Sequence, residues 1–393
     1  MKSTHVKRLA HDLMRLTAVL ASIFITGSTA AQMAPTTQAQ RAIEFTVSSR
    51  DGTVIKGQVD LPVGNHRVAV VMVAGTGLFD RDVNFGRSGT EADKLFKELG
   101  HRLASRGLAA VRYDRRGVRF GQSASSRLDP AISGTSTLET QQEDLAAVYT
   151  WARGKNGNRA KCVILFGHSE GTLHIARLAA SGAPEPLGVI GVGALAASPQ
   201  AVLRWQMSKR DAFSLRAMDV NRDGKTTAAE VDAHWRETPS SAFDMLAPFL
   251  PPDGEAWTDK DITQVEVVQD RIYEQARLAA LKLDDSAPYP NLVTPMARSS
   301  WWKSWFTDDI PAAKLLAKWQ HTPIYFHWGS IDSQTPPSLN ERVAREWLGR
   351  RAILAVHPGL GHSLGAHALY APIDSRVADE IADQAASLAR KCS

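Results

Sequence analysis

The sequence contains few cysteines, only Cys162 and Cys392 among 393 residues. Two cysteines exclude a disulfide-rich scaffold, and they lack the spacing of a metal site. In an oxidising compartment they can form a single bridge. Both are expected at the amino end of the sheet, because Cys162 opens a predicted strand and Cys392 ends a helix running back from another. A bridge and two free thiols remain open alternatives.

No basic run interleaved with aromatic residues is present, which excludes a nucleic-acid partner. The formal net charge of +5 falls to about +2 when residues 1–31 are removed, since that segment carries four positive charges and one negative. No apolar run reaches the roughly 20 residues needed to span a bilayer. The hydrophobic fraction of 44% is normal for a globular core.

The N-terminus predicts a cleavable secretory signal over residues 1–31, followed by a flexible lead-in over 32–40. Positive charges come first, an apolar stretch covers residues 16–26, and small residues at 28–31 offer cut points after Ala30 or Ala31. A membrane anchor is the alternative, but the apolar stretch is short for one. We therefore expect a secreted or periplasmic protein without stable membrane insertion after cleavage.

Apolar runs and helical patterns alternate along two parts of the chain, and the alternation predicts a doubly wound α/β domain. A hairpin over residues 44–61 opens the first part, which spans 41–197. The second part spans 320–393. Between them, residues 198–319 lose the alternation and are expected to form an inserted helical cap.

A Gly-His-Ser-Glu-Gly sequence at 167–171 lies directly between a predicted strand and a predicted helix. Its glycines permit the sharp strand-to-helix turn that exposes a serine hydroxyl at the carboxyl end of a sheet. The sequence therefore predicts Ser169 as a nucleophile. His168, inside the turn, is expected to be a packing residue.

A serine nucleophile needs a general base and an acid that orients it, in the chain order serine, acid, histidine. Asp332 and His362 each follow a predicted strand in a glycine-containing loop. Asp332 also fits a helix cap. His357 is a second candidate base, but it precedes a proline directly after its strand, so His362 is preferred.

The oxyanion of an acyl-transfer intermediate needs preorganised N–H donors, one after the nucleophile and one from the loop after the third strand. Glu170 and Thr76 are predicted to supply them. The alternative for Gly75-Thr76-Gly77 is an ordinary turn that ends a strand.

With these motifs the sequence resembles the α/β-hydrolases close to the prolyl oligopeptidase and serine aminopeptidase groups. The resemblance is carried by segments 74–82 and 112–118, the 167–171 turn and the Asp332 and His362 loops, and covers roughly residues 40–197 and 320–393. It implies an α/β-hydrolase fold and serine hydrolase chemistry without an organic or redox cofactor. The usual serine and proline around Thr76 and Leu78 are absent, which weakens the assignment of the donor there.

Residues 219–230 match the twelve-residue D-x-[DN]-x-[DN]-G-x₅-E calcium pattern and resemble an EF-hand or dockerin-like loop. The predicted ligands of a structural Ca²⁺ are Asp219, Asn221, Asp223, the Lys225 carbonyl, Thr227 and Glu230. No second full loop follows, because Asp259-Lys260-Asp261 lacks the glycine and the glutamate, so an unpaired loop is expected. A solvated acidic turn is the alternative.

Together these features predict an exported hydrolase of small carboxylic esters. A peptidase, an aminopeptidase or a thioesterase uses the same machinery and remains open, as does a non-catalytic calcium-dependent binding protein. The tryptophan-rich segment 300–306 is either an acyl pocket or cap packing. The sequence does not determine the oligomeric state.

Overall fold

A computed structural model describes residues 41–85, 90–122, 126–154, 160–237, 256–288 and 298–392. The predicted signal and lead-in lie outside these residues. Within them, no helix is both long and apolar enough to cross a membrane. The described chain divides into two compact units: residues 200–308 form one, and the residues before and after them form the other.

The larger unit is built on an eight-stranded sheet. Its strands are β1 Arg41–Ser48, β2 Val54–Leu61, β3 Val68–Val73, β4 Ala109–Tyr113, β5 Cys162–His168, β6 Gly188–Val192, β9 Ile324–Gly329 and β10 Ala352–His357. The strand order is β1-β2-β4-β3-β5-β6-β9-β10. The hairpin partners β1 and β2 are antiparallel, β2 is antiparallel to β4, and every other neighbouring pair is parallel. The carboxyl ends of the parallel strands therefore share one edge, where the loops of the site begin.

Helices cover both faces of this sheet. They are α1 Leu95–Ser105, α2 Pro130–Ser133, α3 Leu138–Arg153, α4 Glu170–Ala180, α10 Ala312–Leu316, α11 Pro337–Leu348 and α12 Ser375–Ala389. Helices α1 and α12 share a core with one face of the sheet, whereas α3 and α4 pack on β3 and β5 from the other. This is the α/β-hydrolase fold, as the sequence predicted.

Strand β3 shows why this part of the chain forms a central strand. All six of its residues, Val-Ala-Val-Val-Met-Val, are buried. Val68, Val70 and Met72 belong to the core beneath α1 and α12, and the residues between them point to the opposite face. A strand buried on both faces needs a continuous apolar run rather than alternation.

A disulfide joins Cys162 and Cys392, whose Cα atoms lie 6.0 Å apart. Cys162 begins β5, the strand that leads to Ser169, and Cys392 follows α12. The bridge ties the end of the chain to the amino end of the central sheet and closes a loop of 230 residues. The structure thus resolves the open alternative in favour of the bridge.

The smaller unit is mostly helical. Its elements are α5 Pro199–Ser208, α6 Arg210–Met218, β7 Lys225–Thr227, α7 Ala228–Glu237, β8 Ala256–Thr258, α8 Asp259–Lys282 and α9 Ser299–Thr307. Its small core consists of Ala212, Leu215, Met218, Val231, Trp257, Ile262 and Val265. The core residues come from α6, α7, β8 and α8, so they hold the predicted calcium loop between packed helices.

Candidate active site

Ser169 lies in a strained turn between β5 and α4, with φ 54° and ψ −126°. A positive φ is uncommon for a residue with a side chain, and such conformations cost of order 1–3 kcal/mol. Two hydrogen bonds hold the turn. The Ser169 amide donates to the Val192 carbonyl at 2.9 Å, and the Thr172 hydroxyl donates to the Ser169 carbonyl at 2.7 Å. A Cβ on Gly171 would lie 2.1 Å from the Val73 carbonyl oxygen, so the turn requires glycine there.

Asp332 and His362 come together as predicted. His362 Nδ1 lies 3.0 Å from each carboxylate oxygen of Asp332, and both side chains are buried. The amides of Gln334 and Thr335 donate to Asp332 Oδ1, at 2.8 and 2.9 Å. The carboxylate therefore both organises the turn before α11 and fixes the imidazole, which leaves Nε2 as the nitrogen able to accept a proton.

The carboxyl end of β6 brings Ser169 and His362 to the same place. Val192, the last residue of this strand, accepts the Ser169 amide. A Cβ on the next residue, Gly193, would lie 2.7 Å from the His362 ring. The nucleophile and the base therefore flank one short loop.

The neighbouring histidines take other positions. His357 Nε2 lies 3.0 Å from His327 Nδ1, so Asp332 holds His362 and not His357. His168 is fully buried, and its ring packs against Phe85 and His362. Burial, and then the nearby charge of His362, hold the pKa of His168 well below its usual value. A neutral packing residue is consistent with this environment.

The loop after β3 reaches the nucleophile. A Cβ on Gly75 would lie 2.9 Å from the Ser169 Cβ, so the absence of a side chain permits this close approach. Thr76 follows Gly75, and its hydroxyl donates a hydrogen bond to Glu170 Oε2. Glu170 is the first residue of α4, where backbone N–H groups have no intrahelical acceptor. The two predicted oxyanion donors are thus joined through side chains.

The carboxylate of Glu170 is fully buried within a polar cluster that the sequence did not reveal. His174 Nε2 lies 3.0 Å from Glu170 Oε1, and Arg115 Nη2 lies 3.5 Å from the same oxygen. Arg115 also donates to the Gly75 carbonyl. Burial acts to raise the pKa of Glu170, but Arg115, His174 and Thr76 outweigh it and hold that pKa at about 2. Glu170 is therefore an anion that anchors the Gly75-Thr76 loop.

Buried ion pairs connect the two segments that carry the family resemblance. Arg81 Nη2 lies 2.8 Å from Asp114 Oδ2, and Arg112 pairs with both Asp82 and Asp60. These arginines are at most 3% exposed. Since a buried charge is tolerated only when paired, each partner holds the other segment in place. The sequence signal of this network was the clustering of charged residues in segments 80–82 and 112–116.

The predicted calcium ligands lie in the loop between α6 and α7 and in the first turn of α7. The amides of Asp223 and Gly224 donate to the two oxygens of Asp219, and the Lys225 amide donates to Asp223 Oδ1 at 2.9 Å. Glu230 Oε2 accepts from the Thr227 amide at 2.8 Å. Gly224 takes a φ of 83°, as the glycine of the pattern requires. The donor set is all oxygen and fits a hard cation such as Ca²⁺.

The expectation that no second full calcium loop follows stays a prediction, although the strand of the loop has a backbone partner. Strand β7 of the loop pairs with β8, and Thr226 stands opposite Trp257. Asp261 accepts from the Thr258 amide and hydroxyl just as Glu230 accepts from the Thr227 amide and hydroxyl. Residues 238–255 lie outside the described residues.

The tryptophan-rich segment is buried in α9. Trp301, Trp302, Trp305 and Phe306 are each at most 4% exposed, and the rings of Trp301 and Trp302 form an edge-to-face pair at 4.9 Å. Packing within the helical unit is thus the role that this structure supports for these side chains.

The model of the family described as serine aminopeptidase, S33, matches residues 89–236. A carboxyl esterase from Bacillus coagulans, solved with glycerol, is 16% identical over 89% of this chain and 98% of that one, with a TM-score of 0.51. A thermophilic esterase from Thermogutta terrifontis is 17% identical over 88% and 99% of the two chains, with a TM-score of 0.47. No curated protein matches the sequence.

The first of these structures agrees with the topology described above and supports the fold. The family match covers residues 89–236, the segment that contains the Ser169 turn. The protein has the α/β-hydrolase fold.

Proposed function

We propose that the protein hydrolyses small carboxylic esters, with Ser169 as nucleophile, His362 as general base and acid, and Asp332 as the orienting group. The observation that carries the proposal is the Asp332–His362 contact at 3.0 Å, next to the strained turn of Ser169. This is the arrangement by which a serine is activated on this fold.

In the proposed reaction, Ser169 Oγ attacks the ester carbonyl carbon while His362 Nε2 takes its proton. The N–H groups of Thr76 and Glu170 stabilise the oxyanion that forms. His362 then returns the proton to the leaving alcohol, and an acyl-enzyme remains on Ser169. Water, deprotonated by His362, releases the acid and restores the serine.

An exported peptidase is the second candidate, and the match to the serine aminopeptidase model favours it. A panel of p-nitrophenyl acyl esters of increasing chain length, acyl thioesters and aminoacyl p-nitroanilides separates the candidates. Fastest turnover of the esters, lost by several orders of magnitude in Ser169→Ala, supports esterase activity. Fastest turnover of an aminoacyl anilide assigns a peptidase instead. Residual ester activity above a tenth of wild type in Ser169→Ala contradicts the nucleophile.

The calcium loop is proposed to hold a structural Ca²⁺ through Asp219, Asn221, Asp223, the Lys225 carbonyl, Thr227 and Glu230. Its support is the all-oxygen donor set and the pairing of β7 with β8, which fixes the strand of the loop. No second full twelve-residue pattern follows in the sequence, so binding of one ion is expected rather than a cooperative pair. A non-catalytic calcium-dependent binding protein is the alternative from another functional class. Covalent labelling of Ser169 by a fluorophosphonate would decide against it.

Export is proposed from the N-terminal signal pattern. The Cys162–Cys392 disulfide supports it, because such bridges persist in oxidising compartments. Expression with and without residues 1–31, followed by fractionation and N-terminal sequencing, tests the proposal. A new N-terminus close to residue 32 in the exported fraction is the expected result.

A further inference from the structure

Two histidines in the second halves of β9 and β10 face each other, and neither belongs to the proposed triad. His327 Nδ1 lies 3.0 Å from His357 Nε2, and the two rings are stacked within 15° of parallel. Glu380, on α12, lies beside them. One ligand atom from each of the three side chains lies within 4.8 Å of the other two. None of these residues has a part in the proposed ester hydrolysis.

We propose that His327, His357 and Glu380 bind a divalent transition-metal ion of the zinc class. Two imidazole nitrogens and one carboxylate oxygen are preferred zinc ligands, and water can fill the fourth position. Zn–N bonds of about 2.0–2.1 Å in a tetrahedron separate two ligand nitrogens by about 3.3 Å. The 3.0 Å between the two ring nitrogens is close to that separation.

Gln384 orients two of the three ligands. Its Oε1 lies 2.9 Å from His327 Nε2, and its Nε2 donates to Glu380 Oε1 at 3.2 Å. This pair of contacts makes Oε1 the acceptor, so His327 carries its proton on Nε2 and has a lone pair on Nδ1. A ligating histidine typically donates its other N–H to such an acceptor.

Without a metal, the same geometry is a hydrogen bond from His357 Nε2–H to His327 Nδ1. Metal binding requires that proton to move to Nδ1 of His357, so that both facing nitrogens present lone pairs. No proton is released to solvent in this exchange, and no redox step is needed. The two states differ only in the tautomer of His357 and in the ion.

The ion has a route from solvent. His327 is 1% exposed, but Glu380 is exposed at the surface. Glu380 and Gln384 line an open hollow on α12 together with Asp379 and Asp383. Asp379 and Asp383 form ion pairs with Arg106, so Glu380 is the carboxylate of this hollow that is offered to an ion.

A metal here would join the strand ends that lead to the proposed acid and base. His327 lies five residues before Asp332, and His357 lies five residues before His362. The Ser330 amide already donates to the His357 carbonyl at 2.9 Å, which links the two loops by backbone. A bound ion would therefore stabilise this corner of the sheet without contacting the reacting atoms. Only this consequence depends on the proposed function, whereas the metal site itself does not.

Calorimetric titration of the calcium-saturated protein with Zn²⁺ tests the proposal. We expect a single tight equivalent in wild type, weakened at least tenfold in Glu380→Gln and in His357→Gln. Asp383→Asn, which removes a carboxylate from the same hollow, and Glu230→Gln, in the calcium loop, are expected to bind as wild type does. Because Glu380 is exposed, its variant is expected to fold, which circular dichroism checks.

Co²⁺ gives an independent readout, since tetrahedral Co²⁺ absorbs strongly in the visible range. The absorption is expected in wild type and Asp383→Asn and is expected to be lost in His357→Gln. Absence of tight Zn²⁺ binding in wild type, or equal binding in wild type and both ligand variants, overturns the site. Failure of the protein to hydrolyse esters would leave this result unaffected.

Discussion

The hydroxyl of Thr76 donates a hydrogen bond to the carboxylate of Glu170, and this contact connects the two residues whose N–H groups are proposed to hold the oxyanion. Arg115 extends the link, because it contacts the same carboxylate and donates to the Gly75 carbonyl. The loop after β3 and the start of α4 are thus fixed relative to each other before substrate arrives. Preorganisation of this kind is what makes oxyanion donors effective.

Thr76→Val removes the hydroxyl and keeps the backbone N–H. We expect kcat on a p-nitrophenyl ester to fall about tenfold with little change in KM, because a loosened donor affects the transition state more than ground-state binding. Thr76→Ser retains the hydroxyl and is expected to restore most of the rate. Equal kcat values for Thr76→Val and wild type would contradict a positioning role for this contact.

The pH dependence of stability follows from the depressed pKa of Glu170. Its pKa is about 2 in the folded protein and about 4.5 when unperturbed. A carboxylate with a lowered folded pKa stabilises the fold fully above the unfolded value, and the contribution is lost as pH falls toward the folded value. Urea unfolding from pH 6 to pH 2 is expected to show a steeper loss of stability below pH 4.5 in wild type than in Glu170→Gln. Parallel curves would contradict the assignment of an ionised, paired Glu170.

Calcium is expected to stabilise the protein and to leave its chemistry unchanged, because the loop contributes no group to the triad. An ion that binds only the folded state raises stability by mass action. Chelation is expected to lower the melting temperature by several degrees, with kcat unchanged at temperatures where the apo protein is folded. Glu230→Gln should abolish this response, and Glu274→Gln, a carboxylate outside the loop in the same unit, should keep it. If the melting temperature of Glu230→Gln still falls on chelation, the loop is an acidic turn and not the calcium site.

The bridge between Cys162 and Cys392 closes a long loop and is expected to contribute about 2–4 kcal/mol to the free energy of unfolding. Reduction of wild type should lower the urea midpoint, and the double variant Cys162→Ser, Cys392→Ser should match the reduced protein with or without reductant. A midpoint that does not respond to reductant in wild type would show that the bridge is absent or contributes nothing.

Sequence patterns predicted the centre of the sheet well because β3, β4, β5 and β6 are buried on both faces and therefore appear as largely apolar runs. The hairpin predicted over residues 44–61 is formed by β1 and β2, which span Arg41–Ser48 and Val54–Leu61. The loops that bear Asp332 and His362 could be placed because parallel strands fix which edge their ends share. Local pattern was sufficient for these features.

Long-range polar contacts could not be predicted in the same way. Glu170 and His174 lie one turn apart on α4, but Arg115 comes from the loop after β4, and no local pattern marks its contact with Glu170. The partner of β7 was missed for a related reason. Pairing of β8 depends on backbone register and on a Thr–Asp cap, whereas the sequence scan required ligand residues.

The proposed mechanism depends on Ser169 being an activated nucleophile, which intact-protein mass spectrometry after treatment with a fluorophosphonate tests. A single adduct is expected on folded wild type, located at Ser169 by peptide mapping and absent from Ser169→Ala. His362→Ala, which removes the base, should react far more slowly, and His357→Ala should label at the wild-type rate. A folded wild-type protein that acquires no adduct, or a Ser169→Ala variant that labels as readily as wild type, would show that Ser169 is not the activated nucleophile.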